Sequence, residues 1–176
     1  DLHEVLRILL WIMGVLALVG NVFVIVWRTA SKMHKKVHAY LIANLAGSDL
    51  LMSIYLLIVA AADFIYRGRY IEEDERWRSS VTCNVAGVAA TISSLASIFN
   101  LLVVTLHTFQ SIVFPFSPYT LNKKSAPIVT FLVWISAITL ATVPLVHHSF
   151  FKGKYYGRSS VCLALHITRS EERRVG

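Results

Sequence analysis

The chain has 176 residues, of which 56% are hydrophobic and 15% are charged, and its formal net charge at pH 7 is +7. This composition is too apolar for a soluble domain of that length and is typical of an integral membrane protein. The basic residues lie in short clusters between long uncharged runs, as they do in loops that flank membrane spans. We therefore expect contacts with membrane lipids and no binding of nucleic acid.

The uncharged runs divide the chain into four spans and their connecting segments. At about 1.5 Å per residue, each run is long enough to cross a hydrocarbon core of roughly 30 Å as a helix. The predicted segments are a stub at 1–7, spans at 8–27, 40–62, 83–113 and 126–146, loops at 28–39, 63–82 and 114–125, and a final segment at 147–176. The fold class predicted is an all-α membrane protein.

The charges beside the first span predict its orientation. Four basic residues and no acid follow it between positions 28 and 36, whereas Asp1 and Glu4 precede it, so the N-terminus is expected outside. The total count disagrees, with six Lys and Arg in the two loops predicted to be inside and eleven in the segments predicted to be outside. We keep the orientation because the first span usually dominates and because those inner loops contain no acid.

Asp49 is the only charged residue in the second span. A carboxylate at that depth costs on the order of 3 kcal/mol or more unless it faces protein, water or an ion. An acid inside a membrane span is therefore a functional-site hypothesis, and the residues that share its depth become candidate partners.

Polar residues form one stripe on the second span and another on the third. At 100° per residue, Ser53 and Asp63 share a face with Asp49. The stripe on the third span contains Ser93, Ser97, Asn100 and His107. Two such stripes should face each other in lipid, so Asp49, Ser97 and Asn21 of the first span could offer oxygen ligands to a monovalent cation. The alternative is interhelical hydrogen bonding that only holds the bundle together.

The histidines and the known catalytic motifs give weaker signals. His34 and His38 have the i, i+4 spacing of a metal pair, and His147 adjoins His148, but neither pair has the third ligand of a catalytic metal site. No GxSxG, HExxH, P-loop or GxGxxG string occurs. The sequence therefore does not indicate an enzyme.

Several residues of the predicted spans resemble the signature residues of rhodopsin-like G-protein-coupled receptors. They are Gly20, Asn21, 44–50, Cys83 and Trp134. The segments 77–83, 112–117 and 156–166 are similar to relaxin-type receptors and their invertebrate leucine-rich-repeat relatives. The resemblance implies a seven-helix bundle in the plasma membrane, of which this chain would be helices one to four plus the second outer loop.

The resemblance also implies sites and partners. A disulfide is expected between Cys83 and Cys162, which the four-span topology places on the same, oxidising side. A sodium pocket is expected at Asp49, with Ser97 and Asn21 in support and no other cofactor. The implied partners are a peptide or glycoprotein hormone outside the cell and a heterotrimeric G protein inside it.

The inner end of the third span departs from the family pattern. His107, Thr108 and Phe109 stand where the family has an acid, an arginine and an aromatic residue, and the inner-loop contact that follows is Phe114-Pro115-Phe116. An arginine supplies a fixed charge and several donors, whereas Thr108 has one hydroxyl. We therefore expect weak activation of a G protein.

One alternative function remains at the level of sequence. A four-span channel, transporter or accessory subunit could use Asp49 in an ion or proton path. Further hydrophobic helices immediately downstream in the full transcript would favour the receptor, and a stop codon after Gly176 would favour the four-span protein.

Overall fold

The computed structural model describes residues 2–30, 36–67, 70–116, 121–146, 156, 159 and 161–163. The helices are α1 (Leu2–Ala30), α2 (Val37–Ile65), α3 (Tyr70–Arg78), α4 (Val81–Val113) and α5 (Ser125–Val146). Four of them, α1, α2, α4 and α5, are long and apolar enough to cross a membrane. The predicted all-α fold class is thereby confirmed.

The helices extend past the predicted spans because apolar length determines what lies in lipid and does not determine where a helix ends. α1 begins at Leu2 and ends at Ala30, although the predicted span covers 8–27. α2 runs to Ile65, beyond the end of its predicted span at 62. Charged residues that flank a span continue the helix at its ends, where water or other charges can solvate them.

The predicted outer loop at 63–82 contains the nine-residue helix α3. Its charged residues, which we read as loop residues, form pairs at helical spacing: Arg78 lies 2.9 Å from Asp74 at i, i+4. At the end of this helix, Trp77 is buried against Ala62 and the two cysteines. The segment therefore packs over the end of α2 and the start of α4.

Local capping explains where the last two spans begin. The Ser80 hydroxyl accepts a hydrogen bond from the backbone N–H of Cys83, which satisfies one free donor at the start of α4. Before α5, the Asn122 side chain accepts from the N–H groups of Lys124 and Ser125. Each helix is thus preceded by a polar residue whose side chain accepts hydrogen bonds from backbone N–H groups near the start of the helix.

α2 is the central helix, since it packs against both α1 and α4, and α4 in turn packs against α5. Buried alanines recur on α2 and α4, at Ala46, Ala60, Ala62, Ala86, Ala90 and Ala96. On α1, a Cβ added at Gly14 would lie 3.0 Å from Leu57. Small residues let membrane helices approach closely, and here they bring the polar groups of α2 within reach of α4.

Candidate functional site

A hydrogen-bonded group of four residues joins α2 to α4 around the intramembrane acid. The Ser97 hydroxyl donates to Oδ1 of Asp49 at 2.6 Å and lies 3.0 Å from Oγ of Ser48. One turn away, the Ser93 hydroxyl donates to the backbone carbonyl of Ser48 at 2.8 Å. Ser48 and Ser93 are fully buried. We call Ser48, Asp49, Ser93 and Ser97 the Asp49 cluster.

The Asp49 cluster has the chemistry of a hard-cation site and also of a structural junction. Carboxylate and hydroxyl oxygens suit hard cations. The same hydrogen bonds satisfy polar groups that would otherwise stand unpaired in lipid. The polar residues of α2 and α4 therefore meet and form a hydrogen-bonded junction between the two helices.

Three other residues of the predicted stripes and first span make different contacts. The Asn21 side chain donates to the carbonyl of Ala17, one turn earlier in α1. Ser53 donates to the carbonyl of Leu50 on its own helix. Asp63 pairs with Arg7 at the outer end of α1. The hydrogen bonds and ion pair described for these residues thus lie outside the Asp49 cluster.

Charged residues connect the start of α1 with the end of α2. Arg7 pairs with Asp63 and lies 2.9 Å from Glu4, and Arg67 lies 2.5 Å from the same glutamate. These side chains are partly exposed, so each pair contributes little to stability. Their geometry still shows that the start of α1 and the end of α2 lie on one side of the membrane.

The predicted disulfide between Cys83 and Cys162 is present, with 5.3 Å between the two Cα atoms. Cys162 has a φ of 56°, in the left-handed region that non-glycine residues seldom adopt. Its N–H donates to the carbonyl of Ser159, and the N–H of Leu163 donates to the Ser159 hydroxyl. A tight turn therefore presents the second cysteine to the start of α4.

Two tyrosines and a glycine, which the sequence analysis did not single out, hold this turn against the helices. The Tyr55 hydroxyl donates to the carbonyl of Val161 at 2.8 Å, and the buried Tyr156 donates to the carbonyl of Ala141 at 2.7 Å. A Cβ added at Gly87 would lie 2.3 Å from the Cys162 carbonyl oxygen. Gly87 follows Cys83 by one helical turn and so lies on the same face of α4, and this spacing was the sequence signal that Gly87 contacts the disulfide-bonded turn.

Near the C-terminal end of α4, the three residues singled out from the sequence, His107, Thr108 and Phe109, make local contacts. The His107 ring faces His38 of α2, with 6.3 Å between ring centroids. The Thr108 hydroxyl donates to the carbonyl of Val104 in its own helix. Phe109 meets Phe114 edge-on at 6.4 Å. The contact described for the Thr108 hydroxyl is therefore the ordinary back-bond of a helical threonine.

The predicted inner-loop contact residues follow at the end of α4. Phe114 closes the helix, its N–H donating to the carbonyl of Gln110, and Pro115 begins a turn. Phe116 is 98% exposed and Phe114 is 55% exposed. These aromatic side chains are accessible for contact with a partner or with lipid headgroups.

Besides the Asp49 cluster, which joins α2 to α4, a polar contact links α2 to α5. The indole N–H of Trp134 points to Oδ1 of Asn44 at 3.4 Å, and a Cβ added at Gly47 would lie 3.9 Å from the same ring. The Asn44 amide also donates to the carbonyl of Tyr40. Two of the signature positions, 44–50 and Trp134, therefore meet in space.

Comparison with known proteins places these features in a family. Residues 20–175 match the family described as "7 transmembrane receptor (rhodopsin family)". The chain is 46% identical over 99% of its length to G-protein coupled receptor GRL101 of Lymnaea stagnalis, and 33% identical over 97% to human Relaxin receptor 2. It is also 34% identical over 91% of its length to Relaxin receptor 1 of Rattus norvegicus.

The chain spans 15% of the length of GRL101, 22% of that of Relaxin receptor 2 and 21% of that of Relaxin receptor 1. It matches nearly all of its own length in each comparison, and its four apolar helices, its disulfide and its signature residues fit the same family. The chain is therefore a multi-pass membrane protein that belongs to the rhodopsin family of seven-transmembrane receptors.

Proposed function

We propose that this chain is the first four membrane-spanning helices (α1, α2, α4 and α5) and the second outer loop of a plasma-membrane receptor for a peptide or glycoprotein hormone. The observation that carries the proposal is the similarity to two relaxin receptors and to GRL101, spread over at least 91% of the chain. The channel or transporter hypothesis has no comparable support.

The disulfide and the outer ion pairs support an extracellular N-terminus. Disulfides persist on the oxidising side of the plasma membrane, so the end of α4 that holds Cys83 faces outward. The start of α1 lies at the same side, because Arg7 pairs with Asp63 at the end of α2 and α2 runs antiparallel to α4. This orientation agrees with the charges beside the first span and not with the total count of Lys and Arg.

The ligand class can be tested by binding to cells that express the complete receptor. We expect saturable binding of a labelled relaxin-family peptide or of a glycoprotein hormone, competed by the unlabelled hormone. Cells expressing the Cys83→Ser variant, which loses the anchor of the second outer loop, should bind less at equal surface density. Absence of saturable binding to any hormone of either class would reject this ligand class.

We further propose that the Asp49 cluster supplies half of a sodium site, completed by helices beyond this chain. The support is the pairing of a carboxylate with the Ser97 hydroxyl at 2.6 Å inside the membrane. In the complete receptor, replacing NaCl by choline chloride should change hormone affinity in the wild type and leave Asp49→Asn unaffected. Equal responses of wild type and variant would reject the sodium site and leave the hormone proposal standing.

Coupling to a heterotrimeric G protein is proposed to be weak. Thr108 carries no charge, and its hydroxyl is occupied by the carbonyl of Val104, so it offers neither the charge nor the several donors of an arginine. The exposed side chain of Phe116, just beyond the end of α4, still offers an apolar surface for contact with a G protein. We infer that hormone binding is retained while agonist-driven nucleotide exchange is reduced.

A further inference from the structure

Two histidines meet where the start of α2 lies beside the C-terminal part of α4. His38 lies in the first turn of α2 and is exposed, and His107 lies two turns before the end of α4. Their ring centroids are 6.3 Å apart with 29° between the ring planes. Sequence spacing pairs His38 with His34, which lies outside the described residues, and the fold places His38 opposite a histidine of another helix.

We propose that His38 and His107 form a binding site for a borderline transition-metal ion, such as Zn²⁺ or Cu²⁺, which bridges α2 and α4. Metal–imidazole bonds are about 2.0–2.1 Å long, which sets the ring centroids of two imidazoles on one ion roughly 5–6 Å apart. The observed 6.3 Å is close to that range. The separation of the two rings is therefore compatible with one shared ion, once each ring turns a nitrogen toward it.

One nitrogen of His107 makes no hydrogen bond that this rotation would break. Its Nδ1 is buried, and the described part of the chain provides no hydrogen-bond partner for it. A turn of the ring therefore breaks no hydrogen bond made by that nitrogen, and coordination would give an imidazole nitrogen the partner that it lacks. The His38 side chain is exposed, so its ring has room to turn toward the same ion.

The ligand set determines the class of metal. No Asp or Glu occurs at positions 5–48 or 76–170, so the inner ends of α1, α2, α4 and α5 contain no acid. Two imidazoles without a carboxylate favour Cu²⁺ and Zn²⁺ over Mg²⁺ or Ca²⁺. Water would complete the coordination, since His38 is open to solvent.

A metal bridge between His38 and His107 would restrain the segment of α4 around Thr108. His107 is next to Thr108, so an ion held by both helices would tie the inner end of α4 to α2. The proposal does not depend on the hormone or on sodium binding.

The test is metal binding by the full chain in lipid nanodiscs, with Cu²⁺ and Zn²⁺ alone as probes. Electron paramagnetic resonance of bound Cu²⁺ should show coupling to two imidazole nitrogens in the wild type and to fewer in His38→Ala and in His107→Ala. Zinc affinity, measured against a chromophoric chelator, should fall by about tenfold or more in each variant, since even supporting residues of a metal site contribute 10–100-fold.

The matched control is His34→Ala, which removes the other candidate partner of His38. It should leave the two-nitrogen signal and the zinc affinity unchanged, as should His147→Ala. Because His38 is exposed, its alanine variant is expected to fold even if the His107 variant does not. Loss of the signal in His34→Ala, or an unchanged zinc affinity in His38→Ala, would overturn the proposal.

Discussion

Among the glycines that the structure describes, Gly87 is the one at which an added methyl group would meet the nearest atoms. Its Cβ would lie 2.3 Å from the Cys162 carbonyl oxygen and 2.5 Å from the Tyr156 ring, so the second outer loop would have to move. We expect Gly87→Ala to destabilise the receptor by about 1–3 kcal/mol, the usual cost of overpacking. Thermal unfolding in nanodiscs measures the change.

Gly20→Ala is the control for that substitution, since a Cβ there has no described atom within 4 Å. It should leave the melting temperature unchanged or raise it slightly, because alanine is the better helix former. If both variants melted like the wild type, the close contact at Gly87 would not exist in the membrane.

Ser97 is the residue through which α4 holds the intramembrane acid. Ser97→Ala removes the hydroxyl that donates to Asp49 and contacts Ser48, so the two helices lose a polar link. We expect a loss of about 0.5–2 kcal/mol, the range measured for interhelical hydrogen bonds in membranes. The matched Ser53→Ala variant removes a hydroxyl that bonds within α2 and should cost less. Equal losses in the two variants would contradict a special role for Ser97.

Sequence periodicity predicted part of this cluster and missed the rest for identifiable reasons. Asp49 and Ser97 were paired because each lies on a polar stripe, and a stripe fixes the rotation of its helix. Asn21 was added on depth alone, and depth does not fix the rotation of α1; its described hydrogen bond goes to Ala17. The Ser93 contact goes to a backbone carbonyl, which no pattern of side chains reveals.

At the scale of elements, the second outer loop is held by two tyrosine hydroxyls as well as by the disulfide. Tyr55→Phe and Tyr156→Phe each remove one hydrogen bond to a backbone carbonyl, worth about 1 kcal/mol. Faster hydrogen exchange at the amides of Cys162 and Leu163 is therefore expected in both variants.

Tyr66→Phe is the control for the tyrosine variants, because it keeps the ring contact with Trp77 at 5.9 Å. Its loop amides should exchange at the wild-type rate. Unchanged exchange in Tyr55→Phe and Tyr156→Phe would mean that the disulfide alone places the loop.

The elements themselves were predictable to different degrees. Uncharged apolar length predicted four long apolar helices, because lipid imposes that length directly, and it did not predict their ends. The helix α3 was missed because a charged segment between spans is usually a loop, whereas here Arg78 pairs with Asp74 at helical spacing and Trp77 buries the end of the helix. Tertiary burial of one indole is not visible in local composition.

At the scale of the whole molecule, the two ends of the helical bundle differ in their contacts. The disulfide and the two tyrosines fasten the second outer loop to α2, α4 and α5. At the other end of α4, the Thr108 hydroxyl bonds within its own helix. If the chain belongs to a hormone receptor as proposed, we expect hormone binding to persist and G-protein activation to be weak.

The most direct test compares agonist-stimulated nucleotide exchange in the complete receptor with that in its Thr108→Arg variant, at matched surface density and hormone occupancy. We predict weak exchange in the unmodified receptor and a clear increase in the variant, because the arginine restores a fixed charge and several donors. Thr108→Lys, which restores the charge without the planar set of donors, should increase exchange less. Robust exchange in the unmodified receptor that the arginine does not improve would contradict the account.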